Sequence, residues 1–245
     1  MNEIEPPGTY RPQFRFRWRS LVWMLNRFPR LKVVLADRVR HILRRVFEPG
    51  MVTTERVIEY PFVFQNLEGT NGLLLDIGGG SSGLAIALAS RGFQVVEFDV
   101  YPYPYRHPNL LAARGDAMHL PFATGSFGVA LAISVIEHIG LGHYGDPLAK
   151  HGDLMAVTEI TRVLKPGGRT LITVPFGLAR IDDFQRVYDP SSLGGLLAPL
   201  TIVRVEYAWS KLGLWTPCTE TEAVTVDWSG PDRAVAMVVA ISPPR

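Results

Sequence analysis

A chain of 245 residues with 47% apolar and 20% charged side chains is long enough for an extensive core and too hydrophobic for global disorder; it fits one large α/β domain, with or without an extension. Its 23 glycines and 19 prolines follow no collagen-like period, and the single cysteine, Cys218, excludes an internal disulfide framework and a multi-cysteine zinc cage. A net charge of only +2 argues against a protein-wide surface for nucleic acid or anionic membrane.

Charge is uneven along the chain. Residues 1–50 carry 11 Arg/Lys against 4 Asp/Glu, a balance of +7, which leaves −5 for the remainder. After an irregular start, aromatic, aliphatic and basic residues mix from Phe14 to Phe47, and Pro29 separates one helical stretch from the next. Leu31, Leu35, Val39, Ile42 and Val46 recur at helical spacing, with Arg38, Arg44 and Arg45 largely off that stripe. Such a face packs against the body of the protein or a homodimer partner; membrane or nucleic-acid contact is the competing use. Residues 1–58 are therefore expected to form a basic, helical N-terminal extension or lid ahead of a domain at residues 59–245. The sequence shows no signal-peptide core and no apolar run approaching a span of about 20 residues. A cytoplasmic location is expected, with peripheral membrane contact left open.

The aromatic run from Glu59 to Leu67 suits either one wall of a ligand cavity or ordinary core packing. Leu73 to Ile77 reads as a buried strand carrying Asp76 near its end; it opens into Gly78-Gly79-Gly80-Ser81-Ser82-Gly83 and a helix over Ser81–Arg91. Glycines at 78, 80 and 83 permit a tight turn and a close backbone approach to a ligand. Val95–Asp99 is a second strand ending in acid, 19 residues beyond Gly80, a spacing that suits a carboxylate receiving both hydroxyls of a ribose. This fingerprint alone does not separate NAD from another adenosine-containing cofactor. The missing Gly-Lys-Ser/Thr ending weakens the case for an ATPase, and the C-terminal segment is short for a dehydrogenase's second half.

A short third strand near Leu111–Arg114 leads to Asp116, whose carboxylate can accept an adenine amine or cap its own turn. Phe127–Ser134 is a fourth strand. The glycine-rich loop Leu141–Pro147 that follows Glu137 and His138 bears His143, Tyr144 and Asp146, beyond the carboxyl end of a strand where open α/β sheets bind ligands. A helix over Gly152–Leu164, a turn at Pro166-Gly167-Gly168 and a strand over Arg169–Val174 follow. Phe176–Asp189 reads as a polar-aromatic insertion, Ser191–Leu200 as a helix, and Ile202–Tyr207 and Val235–Ile241 as the last two strands.

Together, Asp76-Ile77-Gly78-Gly79-Gly80, Asp99, Gly115-Asp116-Ala117 with Leu120-Pro121-Phe122, Glu137-His138 and Leu164-Lys165-Pro166-Gly167-Gly168 resemble the class I S-adenosylmethionine-dependent methyltransferase family, over roughly Glu59 to Ile241. The loop from Glu137 to Pro147 further resembles a small bacterial subgroup associated with surface-glycan or secondary-metabolite pathways; the arginine usual there stands as His143 in this chain. The resemblance implies a Rossmann-like α/β fold with a mostly parallel seven-stranded sheet, order 3-2-1-4-5-7-6 with strand 7 antiparallel, and helices on both faces. It implies S-adenosyl-L-methionine as cofactor, held by Tyr60, Asp76, Gly78, Gly79, Gly80, Asp99, Val100, Asp116, Ala117, Met118, Ser134 and Glu137. Within that set Met118 packs rather than performs chemistry, and Glu137 organises backbone around the methionine carboxylate.

A methyl sulfonium is already activated, so the protein must align an acceptor and exclude water. His138 or His143 could take an acceptor's proton, and Asp146 could orient a histidine or bind a sugar hydroxyl. A structural role beneath the loop competes for His138, and a turn cap for Asp146. Tyr144, Arg186 and Tyr188 could clamp a polar acceptor; the scattered histidines establish no metal site. The expected activity is O-methylation of a small molecule, secondary metabolite or glycan precursor. A nucleic-acid methyltransferase ranks lower, for want of any DNA- or RNA-reading module. A non-catalytic cofactor-binding scaffold is the alternative from another class.

Overall fold

A computed structural model describes residues 54–80, 82–211 and 213–244. The basic stretch with its stripe from Leu31 to Val46 lies outside the described residues. The first helix among the described residues is α1 (Arg56–Asn66). It is followed by β1 (Leu74–Ile77), α2 (Leu84–Ser90), β2 (Val95–Asp99), β3 (Leu110–Arg114) and β4 (Phe127–Ile133). Next come α3 (Gly152–Val163), β5 (Leu164–Pro175), a small hairpin of β6 (Arg180–Ile181) and β7 (Arg186–Val187), and α4 (Pro190–Leu196). β8 (Thr201–Lys211), β9 (Leu214–Cys218), α5 (Glu220–Ala223) and β10 (Arg233–Ile241) complete the unit.

The main sheet has the order β3-β2-β1-β4-β5-β10-β8-β9. β1 to β5 run parallel, and β10 lies antiparallel between β5 and β8. Eight strands stand where seven were expected. The extra one, β9, pairs antiparallel with β8 at the edge, Ala208 opposite Pro217. Its proline masked it in the sequence, and an edge position tolerates one because one side of the ladder is unpaired.

Covering both faces of a parallel sheet demands continuous apolar strands, and β1, β2 and β4 are buried along almost their whole length. Successive residues supply opposite faces. Leu75, Ala130, Ala132, Ile172 and Val238 meet Ala156, Ile160 and Val163 of α3 and Leu193 and Leu196 of α4. On the other face, Leu74, Val95, Val129, Leu131 and Val239 meet Phe62 and Val63 of α1 and Leu84 and Leu88 of α2. Ala156, Ile160 and Val163 recur at the helical period, so α3 turns one stripe inward. Each fully buried large apolar side chain contributes about 1.5–3 kcal/mol of transfer free energy.

Several boundaries differ from the sequence reading, among them the helix expected at Ser191–Leu200, which is Pro190–Leu196. β5 begins at Leu164, opposite Phe127; Val129 faces Arg169, so Lys165–Gly168 bulge from the ladder as the expected turn. β8 continues past Tyr207 because β10 pairs with it as far as Ser210. The insertion at 176–189 folds as the β6–β7 hairpin, extended by a bridge between Phe176 and Tyr188. Among the described residues, no helix is long and apolar enough to cross a membrane.

Candidate active site

Strand order reverses between the parallel neighbours β1 and β4. Chain leaving their carboxyl ends departs to opposite sides, the point at which open α/β sheets bind ligands. The turn after β1 is shaped by what it cannot hold. Gly78 has φ +70°, and a Cβ on it would stand 2.4 Å from Val135 Cγ2 in the loop after β4. Backbone alone therefore lines this point, and the Gly78 N–H is tied to the Phe98 carbonyl at 2.8 Å.

Acids crowd beneath and beside the turn. Asp76 is 2% exposed and its Oδ2 has no partner among the described residues; burial pushes it up to about 7, Asp99 adds to the rise, and Arg56 opposes it. Asp99, at the end of β2, accepts the Tyr101 N–H on Oδ1 at 2.8 Å. Its Oδ2 lies 3.3 Å from where a Gly80 Cβ would be, at the rim of the turn. Val100 turns its carbonyl to the Arg114 guanidinium at 3.0 Å. Asp116 caps its own turn, Oδ1 accepting the Met118 N–H at 2.8 Å, while Oδ2 lies 3.7 Å from His119 Nδ1. Met118 is buried in the core, with Ala117 packed against the same cluster. Tyr60 packs against the other cluster, 5.9 Å below the Arg56 guanidinium.

The loop after β4 is held under strain. Ser134 has φ +50°, unfavourable for any residue with a Cβ, and such outliers persist where the surroundings over-determine them. Its N–H donates to Thr173 Oγ1 at 2.9 Å and its hydroxyl to Glu59 Oε1 at 2.6 Å. Glu59 comes from α1, is wholly buried, and also accepts from Thr173 Oγ1. Arg56 pairs with its other oxygen at 3.2 Å and donates to the Ile133 carbonyl at 2.9 Å. Glu59 was read only as part of an aromatic run; its signal was a carboxylate on the inward face of an amphipathic helix. Glu59→Ala strands the buried Thr173 hydroxyl and the half-buried Ser134 hydroxyl and lets Ser134 relax. It is expected to destabilise the fold by about 2–3 kcal/mol in urea titrations.

Beyond Ser134, a 3-10 turn spans Ile136–His138. Glu137 is buried, its Oε2 unpartnered among the described residues, and burial holds its carboxyl well above the ordinary range. His138 Nε2 lies 3.7 Å from Glu137 Oε1. His138 Nδ1 stands 2.7 Å from the Phe184 carbonyl at the tip of the hairpin. A carbonyl only accepts, so Nδ1 carries the proton and neutral Nε2 keeps its lone pair. Burial lowers the His138 pKa, favouring that neutral form.

Four rings gather around this point. His138 and Phe184 have centroids 4.6 Å apart, His138 and Tyr144 5.3 Å, and His143 lies 5.0 Å from Tyr144 and 4.8 Å from Phe184. The Tyr101 hydroxyl donates to the Tyr144 carbonyl at 2.9 Å, tying the loop after β2 to the glycine-rich loop. Asp146 folds back on that loop, Oδ2 accepting the Gly140 N–H at 2.6 Å, the turn cap that competed with a direct role. Arg186 and Tyr188 are buried and do not face an acceptor. Arg186 donates to the Ile139 carbonyl at 2.7 Å and lies 3.4 Å from Asp153, whose Oδ2 also accepts the Tyr188 hydroxyl at 3.0 Å. They dock the hairpin. Among the described residues, no group of three or more His, Cys, Asp or Glu is placed to hold a metal ion.

Glu97 was missed. It is wholly buried, pairs in register with Asp76, and has neither carboxylate oxygen partnered among the described residues. Its signal was an acid inside the otherwise apolar strand Val95–Asp99, a placement that costs several kcal/mol unless something compensates.

Comparison with known proteins gives a consistent fold. A family model described as "Caenorhabditis protein of unknown function, DUF268" matches residues 117–207. A demethylmenaquinone methyltransferase from Beutenbergia cavernae is 33% identical over 120 residues, 47% of this chain and 45% of the relative. The chain thus spans under half the length of that relative. A SAM-dependent methyltransferase from Methanosarcina mazei superposes with a TM-score of 0.53 at 17% identity, covering 75% of this chain and 98% of the other. The 1,6-didemethyltoxoflavin-N1-methyltransferase of Burkholderia thailandensis, with S-adenosylhomocysteine bound, gives 0.55 at 17% identity, covering 88% and 89%.

Proposed function

We propose that this chain, which has the class I S-adenosylmethionine-dependent methyltransferase fold, is a methyltransferase using S-adenosyl-L-methionine to methylate a hydroxyl on a small molecule, a secondary metabolite or glycan precursor. The observation that carries this reading is the glycine turn at the β1–β4 reversal. There a turn that excludes side chains meets an Asp99 carboxylate with Oδ2 at its rim. The residues present fit the cofactor: Asp99 can receive the ribose hydroxyls, Asp116 can face the adenine amine, and buried unpaired oxygens on Asp76 and Glu137 suit a cationic ligand. Gly78, Gly79 and Gly80 would admit it against bare backbone, with Val100, Ala117, Met118 and Tyr60 bounding its apolar parts. Ser134, its hydroxyl engaged by Glu59, would contribute backbone only.

When bound, the cofactor supplies an electrophilic methyl group on a sulfonium. The chain's own task is to place the acceptor and take its proton. His138 is proposed as the base, because its Nδ1 proton is directed at the Phe184 carbonyl and Nε2 is left to accept. His143, Tyr144 and Phe184 would wall the acceptor, and their edges suit a flat molecule. Asp146 would keep that wall in shape through Gly140.

The test is calorimetric titration with S-adenosylmethionine and S-adenosylhomocysteine, followed by transfer of labelled methyl groups to pooled small molecules and nucleic acids. Binding with transfer to a hydroxyl-bearing metabolite is the expected result. Binding without transfer to any pool would favour a scaffold, transfer to nucleic acid alone would move the acceptor class, and absence of binding would overturn the reading.

A further inference from the structure

Asp76 and Glu97 are direct partners in the parallel register of β1 and β2, so their side chains leave the same face of the sheet. Asp76 is 2% exposed and Glu97 not at all. One oxygen of Asp76 and both of Glu97 find no partner among the described residues. A Cβ on Gly79 would stand 3.0 Å from Glu97 Oε1 and 3.1 Å from Asp76 Oδ2. Both carboxyls therefore point at one spot directly under the glycine turn, where only a glycine leaves room for them.

Among the described residues the surroundings bring Glu97 no cation of its own, and the Gly80 N–H is the one group that opposes its rise. β1 contributes Asp76, β2 contributes Asp99, and β3 places Ala112 opposite. α2 has no charged residue, the loop after β2 brings the Tyr103 phenol, and Arg56 acts on Asp76 from α1. Two buried like charges resist ionising together, and the least costly arrangement keeps one of the two protonated.

We propose that Asp76 and Glu97 form a buried carboxyl pair that holds a proton while the site is empty and releases it to solvent when a cationic cofactor enters, so that Glu97 distinguishes a sulfonium from the neutral thioether left after methyl transfer. This rests on the cofactor reading above. Burial and the charges of Asp76 and Asp99 push Glu97 up to about 8, while Asp76 stands at about 7. Both carboxyls are raised, so the pair still holds part of a proton above neutral pH. A cation favours the ionised pair, so sulfonium affinity rises with pH until the free protein has lost the same proton. The thioether carries one positive charge fewer and gains nothing from that ionisation.

Calorimetry on the full chain at pH 8, in phosphate and in Tris, reads the proton directly from the difference in heat. S-adenosylmethionine is expected to release a measurable fraction of a proton per site and S-adenosylhomocysteine almost none. The affinity ratio of the two should climb by up to about tenfold between pH 7 and pH 9. Glu97→Gln keeps the side-chain volume and is expected to abolish both effects. Binding of both ligands with buffer-independent heats in the wild-type chain would overturn the pair, as would equal proton release with both or release that survives in E97Q. The wild-type comparison needs no variant to fold. Failure of either ligand to bind would overturn the cofactor reading, and this inference with it.

Discussion

Asp99→Ala is expected to weaken S-adenosylmethionine binding by about 100-fold, since hydrogen bonds to a charged partner are worth about 1.5–3 kcal/mol each and each 1.4 kcal/mol is tenfold. The carboxylate sits at the end of β2, 9% exposed, with Oδ1 fixed by the Tyr101 N–H and Oδ2 at the rim of the glycine turn. It is thereby oriented before a ligand arrives, which reduces the entropy lost on binding. Asp99→Asn keeps an oxygen for Tyr101 and removes the charge; about a tenfold loss is expected. Unfolding will not account for either result. Asp99 raises both Asp76 and Glu97, so its removal relieves repulsion in the free protein, and thermal melts should show no loss of stability at pH 8. Unchanged calorimetric affinity in Asp99→Ala would remove this residue from the cofactor's contacts.

The second large effect is expected at His138. His138→Ala should lower methyl transfer to an identified acceptor by about 10²–10⁴-fold, the usual contribution of a positioned base, with cofactor affinity little changed. The imidazole works as a base only when neutral. Because burial lowers its pKa, that form is already present at neutral pH, and kcat/KM should fall as pH drops through the lowered value. The acid limb should vanish in the variant. His138→Gln can still donate to the Phe184 carbonyl, so it separates the loss of a base from the loss of a strut. Equal loss in both, with a flat profile, supports the base; full activity in His138→Gln, or a limb that disappears instead in His143→Ala, would reassign the role.

The sheet's parallel half was legible because physics leaves little choice there: a strand buried on both faces must be mostly apolar, and Leu73–Ile77, Val95–Asp99 and Phe127–Ile133 are, save for the acids Asp76, Glu97 and Asp99 that mark the site. The glycine turn was legible for the same kind of reason, since Gly78 alone fits beside Val135. What escaped depends on distant partners. Glu59 becomes a buttress only when Ser134 and Thr173, 75 and 114 residues away, are folded against it. Arg186 and Tyr188 look like ligand clamps in sequence and are bound to Asp153, which no local pattern reveals. β9 was hidden by Pro217, whose meaning changes between the middle and the margin of a sheet.

The proton on His138 is fixed by a main-chain carbonyl, and every amino acid has one. Asp182 sets the bend that presents it, accepting the N–H groups of Phe184 and Gln185 at 3.0 and 2.8 Å. The side chains at positions 183 and 184 are thus uncoupled from the imidazole's tautomer and can be exchanged while Asp182 is kept. On the role proposed for His138, exchanges at that tip are expected to shift acceptor preference and leave proton removal intact.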